Sequence, residues 1–176
     1  MLRRLLYLAA AALAAAPSIV VAQNPLADAF RANAADEAKN LVAAAEEMPA
    51  DKYGYKPTPA QMSFGQIVVH LSGGNDALCG ALTGIKAPAR SKVAVTDSKD
   101  VLVARLKETF DFCHDALAKL TDADLGTEVT VFGRKFTRAR LELVIVGDWA
   151  DHYSQVSNYL RINGLLPPTA KRPEKE

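Results

Sequence analysis

The sequence predicts an all-α protein, a four-helix bundle with a short β-hairpin or extended arm before its last helix. Four stretches of about 20 residues place apolar side chains three, four or seven positions apart, and clusters rich in proline or glycine separate most of them. Between the third and fourth stretches the period changes to an alternation around one glycine, which is typical of paired strands. Four amphipathic helices in a chain of this size favour a bundle.

The first two helices have recognisable limits. The first is expected over residues 26–48, which are rich in alanine, the strongest helix former. Three prolines in residues 49–59 exclude a helix from the linker that follows. The second helix is expected to begin after Ser63, because Gln66 three positions later completes a capping box. Residues 84–88 should end it.

Two consecutive glycines interrupt the second helix. Gly73 and Gly74 each cost roughly 1 kcal/mol relative to alanine in a helix interior. We expect them to permit the close approach of a neighbouring segment.

The second half of the chain also has residues that mark where its helices begin and end. Asp97 or Ser98 is expected to cap the third helix, and residues 127–137 should form the hairpin or extended arm. The fourth helix is expected over residues 137–163, where a following glycine and two prolines end it.

The N-terminus has the three parts of a secretory signal peptide. Arg3 and Arg4 precede an apolar run at residues 5–16, and small side chains at 20–22 offer a cleavage point before Gln23. An uncleaved membrane anchor is the alternative, although Pro17 shortens the continuous apolar core below the usual spanning length. We therefore expect a signal peptide at residues 1–22 and a periplasmic or secreted protein.

The remaining chain is expected to form one domain. Residues 23–168 should make up the bundle, and the charged residues 169–176 a flexible tail. No second apolar run approaches membrane length, so we expect no membrane contact after cleavage.

The composition and the motifs exclude several classes of function. The chain has 21 Lys and Arg against 20 Asp and Glu, and the basic residues are scattered, so we expect no nucleic-acid partner. It carries no P-loop and no GxGxxG, GxSxG or CxxC motif. The sequence therefore gives no support for a nucleotide-phosphate loop, for dinucleotide binding, for a hydrolase with a nucleophilic serine at a strand–helix turn, or for thioredoxin-type redox chemistry.

The most informative local pattern is Asp148 and His152, which share one helix face at positions i and i+4. Their neighbours on that face are apolar, and a carboxylate in a bundle core is costly unless it is paired or binds a metal. His70 on the second helix is the candidate third ligand, since bundles build metal sites from facing helices. The alternatives are an Asp–His pair that closes the bundle end, or Asp148 turned to the surface.

Two segments resemble a known family. The last helix contains DHYSQ at 151–155 and NYLRINGLLPP at 158–168, and the second contains SFGQIVVHL at 63–71. These segments are similar to the DinB/YfiT-like metalloenzyme superfamily, whose last helix reads HxxxHxGQ followed by YLRxNGxxPP. The family also has a hairpin before this helix, which matches residues 129–136. The resemblance covers residues 26–168 and implies a bundle in up-down-down-up order.

The resemblance also implies a metal site. His70 matches the first family ligand and His152 the third, whereas Asp148 replaces the second histidine. Two imidazoles and one carboxylate suit zinc, nickel or iron. Tyr153 and Gln155 are expected to border this site, with Gln155 within reach to donate a hydrogen bond to a ligand.

Two classes of function follow. The resemblance implies a metal-dependent transferase or hydrolase acting on a small-molecule substrate, since some relatives are thiol S-transferases, and it implies a homodimer. The alternative is a non-catalytic helical binding or structural module that keeps the helix motif and has lost the metal.

The two cysteines leave three interpretations open. Cys79 and Cys113 could form a disulfide, they could be two buried thiols, or one of them could be a reactive thiol. An even count and an oxidising compartment favour the disulfide. His114 follows Cys113 directly, so the two point about 100° apart and form no ready dyad. We expect His114 to face solvent or an interface.

The signal peptide gives the first testable prediction. The exported protein should begin at Gln23, or within one or two residues of it, because the small side chains before it form the cleavage pattern. N-terminal sequencing of periplasmic material measures this directly. Material that still begins at Met1 would indicate a membrane anchor instead.

Overall fold

The computed structural model describes residues 23–171, so the predicted signal peptide and residues 172–176 lie outside the described part. The described chain forms a four-helix bundle with a two-stranded antiparallel sheet before the last helix, which confirms the predicted fold class. The elements are α1 (Pro25–Glu47), α2 (Phe64–Thr83), α3 (Lys99–Leu117), β1 (Glu128–Val131), β2 (Arg134–Thr137) and α4 (Arg138–Ile162). Within residues 23–171 no helix is long and apolar enough to cross a membrane.

Side-chain caps fix where three of the helices begin. At α2 the Ser63 hydroxyl accepts from the Gln66 amide at 3.2 Å, and the Gln66 side chain accepts from the Ser63 amide at 2.7 Å. This is the predicted capping box. Ser98 caps α3, whereas Asp97 accepts from the Ala94 amide in the preceding turn. Thr137 ends β2 and caps α4, so the hairpin runs directly into the last helix.

Contacts at the helix ends set the directions of the helices. Leu102 packs against Gly65 near the start of α2 and α3, and Cys79 meets Cys113 near their ends, so these two helices run the same way. Arg138 at the start of α4 donates to the Thr83 carbonyl at the end of α2, so α4 runs in the opposite direction.

α1 lies across the bundle from α2 and contacts both α3 and α4. Its first turn meets the segment after α3, where the Ala27 amide donates to the Asp122 carboxylate at 2.8 Å. Its last turn meets the start of α3, where Lys99 donates to the Glu46 carbonyl at 2.6 Å. α1 therefore runs opposite to α3, and the bundle is closed by the α1–α4 contact.

The hairpin between α3 and α4 pairs Val129 with Phe136 and Val131 with Arg134. Its two-residue turn consists of Phe132, with a φ of 49°, and Gly133, with a φ of 73°. Positive φ at both turn positions gives the twist that joins adjacent antiparallel strands, and it favours Asn, Asp or Gly. Phe132 is therefore an unusual residue at this position.

The glycine pair in α2 does not have the expected role. A Cβ on Gly73 or Gly74 would meet no heavy atom within 4 Å, so no neighbouring segment approaches closely there. Close approach occurs instead at Gly65, where a Cβ would lie 3.2 Å from the Tyr53 carbonyl oxygen. At Gly73 and Gly74 the missing side chains leave open space beside the helix.

A disulfide joins α2 to α3 within the core. Cys79 and Cys113 are both buried, and their Cα atoms lie 5.3 Å apart, within the range that a disulfide spans without backbone movement. Because the bridge connects two cysteines 34 residues apart along the chain, it restricts the unfolded chain considerably.

The bridge gives a stability prediction. Reduction should lower the free energy of unfolding by roughly 3–4 kcal/mol, because loop closure no longer limits the unfolded chain. Urea titrations with and without dithiothreitol measure the change. The double variant Cys79→Ala/Cys113→Ala is the control, since its unfolding midpoint should not respond to the reductant. Two titratable thiols in the protein unfolded without reductant would contradict the bridge.

Candidate metal centre

Three side chains from two helices meet at one edge of the bundle. His70 comes from α2, and Asp148 and His152 come from consecutive turns of α4. Asp148 Oδ1 lies 4.0 Å from His70 Nε2 and 3.5 Å from His152 Nε2. One donor atom from each residue falls within 4.8 Å of the other two, so the cluster could hold a metal ion. The sequence named these three residues, and the fold brings them together.

The three side chains differ in their exposure to solvent. The His152 side chain is only 7% exposed, Asp148 is 30% exposed and His70 is 50% exposed. Asp148 is therefore partly exposed, between the core position and the surface position that the sequence left open. Val144, one turn earlier on α4, is also exposed, so this face of the helix lies at the margin of the bundle. The cluster opens to solvent on the His70 side.

Charge and burial act against each other at His152. The hydrogen bond and charge of the Asp148 carboxylate raise the pKa of His152, while burial lowers it, and the net direction is upward. Gln155 and Asp151 add smaller contributions in the same direction. The carboxylate therefore stabilises positive charge at this imidazole, and the same negative charge would attract a cation.

The spacing of the donor atoms fits one ion with a small adjustment. Bonds of about 2.1 Å allow two ligand atoms to lie at most ~4.2 Å apart. The contacts of Asp148 with His70 and His152, at 4.0 Å and 3.5 Å, satisfy this limit. The widest spacing in the cluster, 4.8 Å, exceeds it, and the half-exposed His70 has room to move inward.

Gln155 lies beside the centre, where its side chain contributes to the raised pKa of His152. Its amide donates to Asp151 Oδ2 at 2.7 Å. Nδ1 of the buried His152 has no hydrogen-bond partner among the described residues. A buried ring nitrogen without a partner is costly, so this nitrogen is a polar atom that folding alone leaves unsatisfied.

Tyr153 forms hydrogen bonds with the C-terminal segment. Its hydroxyl accepts from the Thr169 amide at 3.0 Å and donates to the Thr169 hydroxyl at 2.9 Å. These bonds tie the start of the predicted flexible tail to α4. His114, the third histidine, lies on α3 with its side chain 78% exposed beside Asp115.

Sequence reasoning missed a polar network in the core behind the site. Trp149 Nε1 donates to Asn75 Oδ1 at 2.8 Å, and the Asn75 amide donates to the Thr109 hydroxyl at 3.3 Å. All three side chains are buried. Trp149 directly follows Asp148, and Asn75 lies five residues after His70, so the network links the two helices that carry the ligands. The chain's single tryptophan was the available signal.

A cavity of about 260 Å³ opens beside the cluster. His70 and Asp148 form part of its wall, and apolar side chains from α2, α4 and the hairpin form most of the remainder. A larger cavity of about 430 Å³ lies between α1 and α3 and contains none of the three candidate ligands. The smaller cavity is therefore the one that gives access to the centre.

Comparisons with known proteins agree with this architecture. The family description that matches residues 33–156 is that of the DinB superfamily. A crystal structure of a DinB-like protein from Bacillus subtilis has a TM-score of 0.65 at 21% identity, covering 82% of this chain and 99% of that one. Another, from Bacillus cereus, has a TM-score of 0.69 at 18% identity, covering 80% and 95%. No curated protein matches the chain significantly.

The core network gives a prediction about stability. Asn75→Leu should lower the free energy of unfolding by about 1–3 kcal/mol, because Trp149 Nε1 loses its acceptor while buried. Trp149→Phe removes the donor, and the double variant should be less destabilised than the sum of the two single changes. Urea unfolding of the four proteins measures this coupling. Additive effects would show that the hydrogen bond does not link the helices energetically.

Proposed function

This chain belongs to the DinB superfamily, and on that premise we propose that His70, Asp148 and His152 bind a divalent metal ion that acts on a small-molecule substrate. The observation that carries the proposal is the convergence of three donor atoms from α2 and α4 within 4.8 Å of one another. The family match supports it, since it covers residues 33–156 and includes all three side chains.

The donor set narrows the choice of ion. Two imidazole nitrogens and one carboxylate oxygen suit zinc, nickel or iron, whereas magnesium and calcium prefer oxygen ligands alone. Asp148 supplies a negative charge that would offset part of the charge of the ion. Three protein ligands would leave further coordination positions open for substrate or water.

The three side chains would contribute differently. His152 is buried and held by packing, so it is the rigid ligand. Asp148 lies between the two imidazoles and would orient both. His70 is the most exposed and faces the cavity, so it can adjust when an ion or substrate enters. A bound ion would polarise a substrate group or lower the pKa of a bound thiol or water.

This chemistry favours a transferase or a hydrolase, including the transfer of a substrate to a small thiol. The mainly apolar walls of the cavity would hold an apolar part of a substrate beside the centre. The predicted signal peptide and the buried disulfide support a site of action in the periplasm or outside the cell. We also propose that two copies of this chain form a homodimer.

Metal binding tests the proposal. The wild-type protein should bind one zinc or nickel ion per chain, His152→Ala should abolish binding, and Asp148→Ala should weaken it at least about tenfold, because each removes one of three ligands. His114→Ala is the matched control, since His114 is an exposed histidine outside the cluster. Equilibrium dialysis with elemental analysis gives both stoichiometry and affinity.

Asp148 is the position that departs from the family pattern, and a substitution there should strengthen metal binding. Asp148→His should tighten zinc and nickel binding, because a third imidazole replaces a carboxylate. Equal metal content in wild type and His152→Ala, or no metal in either, would contradict the proposal. The chain would then be a non-catalytic helical module.

A further inference from the structure

The hairpin contributes a wall to the cavity beside the metal centre. Val131 and Phe136 line the cavity from the strands, opposite Leu78 of α2 and Leu141 of α4. Gly74 of α2 also lines it, and a Cβ there would meet nothing within 4 Å. At about 260 Å³ the cavity is smaller than typical sites for drug-sized ligands. Its size and lining suit a small apolar group.

Phe132 stands at the mouth of this cavity in an unfavourable conformation. Its φ of 49° is one that Asn, Asp or Gly adopts more readily, and its side chain is 74% exposed. An exposed aromatic ring in a strained turn lowers stability and solubility, so folding does not explain its presence. Its position explains it better, because the ring lies where a ligand in the cavity would contact it.

Two arginines place positive charge around Phe136, one of the residues that line the cavity. The guanidinium carbons of Arg134 and Arg140 lie 5.5 Å and 5.3 Å from the centroid of the Phe136 ring. Arg134 lines the cavity. Neither arginine forms an ion pair with a carboxylate in residues 23–171, whereas Arg138 between them in sequence pairs with Asp124. A guanidinium without a partner is ready to bind a carboxylate through two hydrogen bonds.

We propose that the cavity, Phe132 and Arg134 select a small substrate that has an apolar body and a carboxylate. The carboxylate binds Arg134, the apolar body lies beneath the Phe132 ring, and the remaining end of the molecule faces His70 and Asp148. This inference rests on the proposed function, because it assigns the substrate class of the same centre. Phe132 and Arg134 are thus specificity residues supplied by the hairpin.

Two probes that differ only in charge test the inference. 4-Phenylbutanoate and 4-phenylbutanamide are titrated into the protein with and without zinc, and affinity is measured by calorimetry and by amide shifts of residues 128–137. The wild type should bind the acid about tenfold more tightly than the amide, as a charge-assisted hydrogen bond predicts. Arg134→Gln should remove this preference. Lys135→Gln, which removes a neighbouring exposed charge on the same strand, should retain it.

Phe132→Asn separates binding from stability. Asparagine suits the positive φ of the turn, so the variant should unfold at an equal or higher temperature while binding both probes at least about fivefold more weakly. If the wild type binds neither probe, or binds both equally, the proposed substrate class is wrong. Unchanged affinities in Phe132→Asn would also overturn it.

The same samples distinguish this inference from the metal proposal. Phe132→Asn and Arg134→Gln should bind zinc as the wild type does, because neither residue belongs to the ligand set. Zinc binding without a preference for the acid would overturn the substrate class alone. A preference for the acid in a protein that binds no zinc would overturn the metal centre and support the carboxylate site.

Discussion

The hydrogen bond from Trp149 Nε1 to Asn75 Oδ1 ties α4 to α2, the two helices that supply the candidate ligands. Both groups are buried, so any sliding of one helix along the other would leave a polar atom without a partner in the core. An apolar contact would tolerate several registers, whereas this bond tolerates one. The position of His70 relative to Asp148 and His152 depends on it.

The disulfide extends this constraint to α3. Cys79 lies one turn after Asn75 on the same face of α2, and its bond to Cys113 fixes that helix against α3. α2 is thereby fixed between two neighbours, and the movable part of the centre is the half-exposed ring of His70. A rigid scaffold with one adjustable candidate ligand would suit the proposed binding of an ion and a substrate.

Local patterns in the sequence predicted much of the fold, and together with the family resemblance they named the three residues of the cluster. The capping box at Ser63 and Gln66 depends only on near neighbours, and the spacing of Asp148 and His152 follows from helix geometry. The sequence left open whether Asp148 faces the core or the surface, because that depends on where the hairpin and α2 end relative to α4. The contributions of Phe132 and Trp149 were missed for the same reason, since both act through residues distant in sequence.

The most direct test of the central claim follows the imidazole nitrogens of the three histidines by NMR during a zinc titration. We expect the resonances of His70 and His152 to shift together and the shift to be complete at one zinc per chain. The resonances of the exposed His114 should stay in place. Shifts confined to His114, or no shift at any histidine at stoichiometric zinc, would contradict a metal centre at His70, Asp148 and His152.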